Sequence, residues 1–190
     1  MTPEAVGDVQ PPRIFNGARG PGRVVVINGP SSAGKSSMAA ALCRRLSPGW
    51  LSISLDHYTG MIPPEWAQQD PEGATAALGL LERSMFELAA EAASIGQGVV
   101  VDTVLQDAAE GQRRVRGILR GIPSVWVGLS APLSVLEDRA RARGDRPEWL
   151  ARWQHLRVHE GMTYDMRLDT GHVPLERGVD LLIALMEERG

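Results

Sequence analysis

Arg23-Val-Val-Val-Ile-Asn28-Gly29-Pro30-Ser31-Ser32-Ala33-Gly34-Lys35-Ser36 is the stretch that decides the fold class. Its first half is a short run of β-branched residues, too brief for a helix and suited to a strand buried on both faces. Its second half satisfies G-x-x-x-x-G-K-[ST] in full and leads into Met38-Ala-Ala-Ala-Leu-Cys-Arg-Arg-Leu46, made largely of good helix formers. The pattern alone is short enough to arise as a chance Gly/Ser turn; its place between a strand and a helix gives it meaning. Glycines let the backbone turn tightly, so that successive N–H groups point inward at an anion. The helix that follows adds the partial positive charge of its N-terminus. Lys35 supplies a point charge to the β- and γ-phosphates of a nucleotide, and the Ser36 hydroxyl is placed to ligate Mg²⁺. Gly29, Pro30, Ser31, Ser32, Ala33, Gly34, Lys35, Ser36 and Ser37 are therefore the expected nucleotide-binding residues, with ATP and Mg²⁺ as the expected cofactors.

On either side of this stretch the chain changes character. Residues 1–22 hold Pro3, Pro11, Pro12 and Pro21 with several glycines and no apolar period, and read as a flexible arm outside a domain spanning residues 23–190. Downstream, strands are expected at Leu51–Leu55, Gly98–Asp102, Ser124–Leu129 and Met166–Asp169. Between them fall helical stretches at Ala74–Ile95, Asp107–Arg120, Pro132 to about Arg143 and Pro147–His159, with a closing helix from Pro174. In the last, Leu175, Val179, Leu182, Ile183 and Met186 form one apolar face. Uniformly apolar strands alternating with helices imply a three-layer α/β domain with a parallel sheet covered on both sides.

Composition limits the function. At 190 residues the chain supports one well-buried domain. A formal charge of −3 argues against nucleic acid as a partner, so any basic site must be local. No apolar run approaches the roughly 20 residues that cross a bilayer, and no signal-peptide pattern opens the chain, so no membrane partner is expected. Cys43 is the only cysteine, which leaves no intramolecular disulfide and fits a reducing cytoplasm.

Three further features carry chemistry. Asp102 ends a β-branched strand, the place of the second acid of P-loop proteins that holds magnesium directly or through water; its rival role is capping the turn after the strand. Arg139, Arg141, Arg143 and Arg146 crowd into eight residues of an otherwise acidic chain and read as a lid around 139–147. Arginine suits phosphate because its charge persists and its planar fork holds two oxygens, although the same residues could pair with Glu137, Asp138 and Asp145 on a solvated helix face. Arg143 and Arg146 flank Gly144, a hinge near the chemistry, and are the preferred pair. Asp56 stands just beyond the second strand, on the edge where α/β sheets place ligands, and could accept the proton of an attacking hydroxyl. Its rival role is a turn or N-cap residue. A guanine-specific N-K-x-D is excluded because the only asparagines are Asn16 and Asn28, and no D-x-x-G follows the third strand. Those absences turn the reading from a switch to a kinase.

Gly-Pro-Ser-Ser-Ala-Gly-Lys-Ser, an aspartate 21 residues after Lys35, Ala142-Arg-Gly-Asp-Arg146, and Val158-His-Glu-Gly-Met-Thr-Tyr-Asp165 leading to Leu168-Asp-Thr-Gly-His172 together resemble the chloramphenicol phosphotransferase family. The resemblance runs from about Arg23 to the C-terminus. It implies a parallel five-stranded sheet in the order 2-3-1-4-5 and an ATP-dependent O-phosphotransferase acting on a small-molecule hydroxyl, such as that of an antibiotic. It also implies Asp56 as general base, Lys35 and Ser36 as phosphate and Mg²⁺ ligands, and Arg143 with Arg146 as lid arginines. The chain departs from the family at Thr103, where a second acid is expected, and in His57-Tyr58-Thr59-Gly60-Met61-Ile62-Pro63. Those departures bear on the acceptor: a nucleotide sugar, a metabolic alcohol, or a regulatory module with no acceptor are the alternatives. His57, Tyr58, Met61, Trp66 and Tyr164 would give the acceptor a mainly apolar pocket with a few polar groups, although each alone reads equally well as core or surface. His159 and Glu160 have two readings, substrate contact or the closing of a helix before Gly161.

Overall fold

Val24–Asn28 forms β1, and none of its five residues is reached by solvent. Alternate side chains go to opposite faces of a strand, so a strand apolar throughout needs cover on both sides. The computed structural model describes residues 22–46, 48–144 and 148–189 and shows that cover. Val25 and Ile27 pack among Leu42 of α1 (Lys35–Leu46) and Val179 and Leu182 of α8 (Leu175–Glu188). Val24 and Val26 pack on the other face, among Phe86 and Ala89 of α4 (Pro71–Ser94) and Val115 of α5 (Ala109–Ile118). Strands β2 (Trp50–Ser54), β3 (Gly98–Thr103), β4 (Ser124–Ser130) and β5 (Met166–Asp169) complete a parallel sheet in the order 2-3-1-4-5, as the family resemblance implies.

Parallel pairing through crossover helices brings all five strand ends to one edge. Register then decides which residues meet there. Asn28 lies opposite Thr103 on one side and Gly128 on the other, while Ile27 and Ser54 flank Asp102.

Several elements differ from the sequence reading. Two short helices, α2 (Leu55–Thr59) and α3 (Pro64–Gln69), occupy the stretch after β2 and bury no residue of their own. Helix α4 begins at Pro71 rather than Ala74, because the Asp70 carboxylate caps Gly73 N–H at 2.9 Å and proline is tolerated in a first turn. The helix expected over Pro147–His159 is two pieces, α7 (Glu148–Gln154) and a 3₁₀ turn at Arg157–His159. Trp149 and Trp153, four apart on α7, are exposed at 64% and 39%. Helix α6 (Leu133–Arg143) ends at Gly144, whose φ of 67° is the left-handed conformation that glycine adopts without strain. Residues 1–21 and 145–147, and Arg146 with them, lie outside the described residues; Gly22 already donates its N–H to Ala93 O at 2.9 Å.

The core assignment predicts a contrast within one helix. Phe86 is fully buried and Leu80 is 64% exposed, so Phe86→Ala should cost about 3–5 kcal/mol in urea unfolding. Leu80→Ala should stay within about 0.5 kcal/mol of wild type. Equal costs would mean that α4 packs by another face.

Candidate active site

The turn after β1 is shaped by its contacts with the strands beside it. A Cβ on Gly29 would lie 2.4 Å from Leu129 O, so only glycine passes there. Ser32 and Gly34 have φ of 65° and 84°, the alternation of backbone hands that turns successive N–H groups toward one side. Ser31 and Ala33 are buried and give the loop its shape from behind; Ser31 N–H donates to Gln154 Oε1 at 2.8 Å. Lys35, 8% exposed, reaches back to Pro30 O at 3.0 Å. The lysine ammonium is thereby held over the concave side of its own loop.

Beside the loop, the Ser36 hydroxyl donates to Asp102 Oδ2 at 2.5 Å, and Ser54 Oγ stands 3.5 Å from the same oxygen. Register explains the meeting: Asp102, next to last in β3, lies between β1 and β2 and directly across from Ser54. Thr103 follows it, and its buried hydroxyl has no partner among the described residues. Hydroxyl and carboxylate oxygens are the hard donors that magnesium selects, and few protein ligands are needed when phosphates supply the rest. The set Ser36 and Asp102 fits that ion.

Asp56 sits in the first turn of α2, where Ser54 Oγ caps its N–H at 3.3 Å. The helix therefore fixes the carboxylate at the carboxyl edge of the sheet. Asp56, Lys35, Ser36, Ser37, Ser32, Gly34, Asp102 and Arg143 all line one small cleft. A second cavity of about 550 Å³ opens from Ser32, Gly34 and Ser37, roofed by Arg139 and Arg143 and walled by Val173 and Pro174. Arg139, not among the preferred arginines, holds Thr170 through its hydroxyl at 2.9 Å and its carbonyl at 2.8 Å. Thr170 Oγ1 in turn lies 3.0 Å from Ala33 O, so the exit of β5 is tied to the loop. Arg141 instead pairs with Asp138 on the helix surface. The cavity beside the phosphate loop was missed because its walls, Thr170 and Val173-Pro174, lie over 130 residues from Gly34.

Tyr164 does not reach the cleft. Its ring lies over Gly128, where a Cβ would stand 2.9 Å from the ring, and its hydroxyl accepts from Asn28 Nδ2 at 2.8 Å. His159 likewise turns inward: its Nε2–H donates to Leu129 O at 3.1 Å. Met61 and Trp66 are exposed beyond Asp56, at 62% and 40%.

The model for the chloramphenicol phosphotransferase-like proteins matches residues 22–186. The chain belongs to that family. A Mycobacterium tuberculosis H37Rv relative with the provisional name of an O-phosphotransferase is 26% identical over 175 residues, covering 81% of this chain and 77% of the relative. Among solved structures, Mycobacterium tuberculosis APS kinase in complex with AMPPNP and APS superposes with a TM-score of 0.64 at 20% identity, over 88% of this chain and 98% of that one. A gluconokinase from Sinorhizobium meliloti 1021 gives 0.61 at 24% identity, over 90% and 94%. The fold is that of the P-loop kinases. No described helix is long and apolar enough to cross a membrane.

Burial, aided by the nearby cations Arg167, His155 and Lys35, lowers the His159 pKa below 6.5, and the bond to Leu129 O only partly offsets this. The unfolded chain therefore takes up a proton below about pH 6.5 that the folded chain refuses, and stability is lost as pH falls through that range. His159→Gln removes the group. The melting-temperature gap between wild type and this variant should narrow from pH 7.5 to pH 5; parallel curves would show His159 to be protonated as readily folded as unfolded.

Proposed function

We propose that the protein transfers the γ-phosphate of ATP to a hydroxyl of a small molecule, and that the acceptor is an antibiotic-like compound. The observation that carries the reading is the single cleft shared by Lys35, Ser36, Asp102, Asp56 and Arg143. Each has a distinct task. Backbone N–H groups of the Ser32–Lys35 turn and the Lys35 ammonium hold the β- and γ-phosphates. The adjoining cavity, about 550 Å³, accepts the nucleoside. Ser36 and Asp102 would hold magnesium, which when bound offsets charge on the phosphate oxygens.

Asp56 lines the same cleft as Lys35 and Ser36 and is assigned to the acceptor side. Its carboxylate takes the proton of the acceptor hydroxyl as the acceptor oxygen bonds to the γ-phosphorus. The bond from that phosphorus to the β–γ bridging oxygen breaks, and ADP leaves. Arg143 lies at both cavities and neutralises charge spread over the transferring group; Arg146 is assigned the same role from its place in the sequence. The lid around 139–147 remains part of this reading, with Gly144 as its hinge. The family assignment supports an antibiotic acceptor, and Met61 and Trp66 offer exposed apolar surface beyond Asp56 for its body.

Asp56→Asn should leave ATP affinity nearly intact and lower kcat by roughly 10²–10⁴. Lys35→Ala should weaken both binding and turnover. An ADP-release screen against hydroxylated antibiotics, nucleotide sugars and simple sugar alcohols identifies the acceptor class. Stimulation by an antibiotic supports the reading. Stimulation by a nucleotide sugar or polyol alone replaces the acceptor, and tight ATP binding with no stimulation by any of them favours a regulatory module.

A further inference from the structure

The HEG-x-x-YD stretch is absent from the cleft, yet it holds a connected set of partly or fully buried polar contacts. Its position supplies the reason. Asn28, the last residue of β1 and the one before Gly29, has a side chain with no solvent exposure. A buried amide must place both N–H groups and its oxygen. Nδ2 donates to Val158 O and to Tyr164 Oη, both at 2.8 Å, while Oδ1 accepts Leu105 N–H at 2.8 Å. One side chain thus joins the start of the phosphate loop, the segment after Asp102 and the 158–164 segment.

The chain of donors continues with a fixed direction. His159 Nε2 faces Leu129 O at 3.1 Å, and a carbonyl only accepts, so Nε2 carries the proton. In the neutral ring Nδ1 is then an acceptor, and it takes the Tyr164 O–H at 2.8 Å. Tyr164 oxygen in turn accepts from Asn28. Burial agrees with this protonation: it pushes the tyrosine up to about 12 and His159 down, so both stay neutral near pH 7. The far end of the relay is significant. Leu129 O, which His159 holds, is the atom against which Gly29 packs. The relay therefore grips the phosphate loop at its first glycine from both sides, through the preceding residue and through the carbonyl the glycine abuts.

We propose that Asn28, Tyr164 and His159 are positioning residues that set the exit of β1 into the phosphate loop, and with it the placement of Lys35 and Ser36 against Asp102. None of the three lines the cleft or the adjoining cavity; they act through Gly29. Gly128 belongs to the same device, since only its missing side chain lets the Tyr164 ring lie over β4. The inference rests on the loop being the nucleotide site.

Tyr164→Phe tests it with the least disturbance, because the ring stays over Gly128 beneath Arg167, whose guanidinium lies 4.7 Å from its centroid. Isothermal titration with magnesium ATP is read alongside melting temperature. Tyr164→Phe and His159→Ala should each weaken Kd about tenfold, the worth of one buried hydrogen bond, and His159→Gln, which keeps a donor for Leu129 O and an acceptor for Tyr164, should recover most of it. Asp165→Asn is the comparison for a purely structural role. Asp165 caps Trp126 N–H at 2.7 Å and pairs with Arg189 at 2.6 Å in the same segment without touching Asn28. It should lower the melting temperature while leaving Kd within about twofold. Wild-type affinity in Tyr164→Phe and His159→Ala, or a loss in Asp165→Asn as large as theirs, overturns the relay and leaves the phosphate loop intact as the nucleotide site. Failure of the wild-type chain to bind magnesium ATP overturns both.

Discussion

The close approach of Gly29 to Leu129 O is the constraint on which the rest depends. It holds the turn after β1 against β4 and so fixes where the loop opens. From there, two local bonds complete the concave side: Lys35 returns to Pro30 O, and Ser36 meets Asp102. The second depends on β3 lying directly beside β1. The apolar run at Val24–Ile27 serves the site in this sense. It buys a rigid, doubly covered strand, and the loop inherits that rigidity.

Two halves of a phosphotransfer site are held to different degrees. The donor half rests on buried groups: Asp102, Lys35, Ser31 and Thr103 are almost inaccessible. The acceptor half, as proposed, rests on α2 and α3, which bury nothing of their own, with Met61 between them and Trp66 on α3 exposed to solvent. Under the proposed phosphotransfer, such an arrangement sets a rigid donor site beside a more adaptable acceptor surface. The phosphate end demands fixed dipoles, whereas recognition of an acceptor body is left to loosely packed surface.

Much of the fold was legible because continuous β-branched runs between helices admit few arrangements, and the loop motif marked the central strand. The helices after β2 were not legible, since residues 55–69 have no apolar period; α2 rests on the Ser54 cap and α3 opens on Pro64 with no side-chain cap at all. Nor was the break after Gln154. There the side chains of Gln154 and His155 are drawn to Ser31 N–H and Ala131 O, partners distant in sequence that no local pattern announces. Of the site, Lys35, Ser36, Asp102 and Asp56 could be read from strand ends and spacing, and the cleft places them together. Arg146 lies outside the described residues. Tyr164, open in sequence to a place in the acceptor pocket or in the core, takes the core because its ring packs over Gly128, a glycine on another strand that no local pattern links to it.

A crystal structure with magnesium and AMPPNP tests the central claim most directly. The account predicts phosphates seated on the Ser32–Lys35 turn, the metal at Ser36 and Asp102, the purine in the cavity beside Pro174, and the Asp56 carboxylate facing the γ-phosphate. A purine seated elsewhere, or Asp56 turned to solvent with another group facing the γ-phosphate, would contradict it.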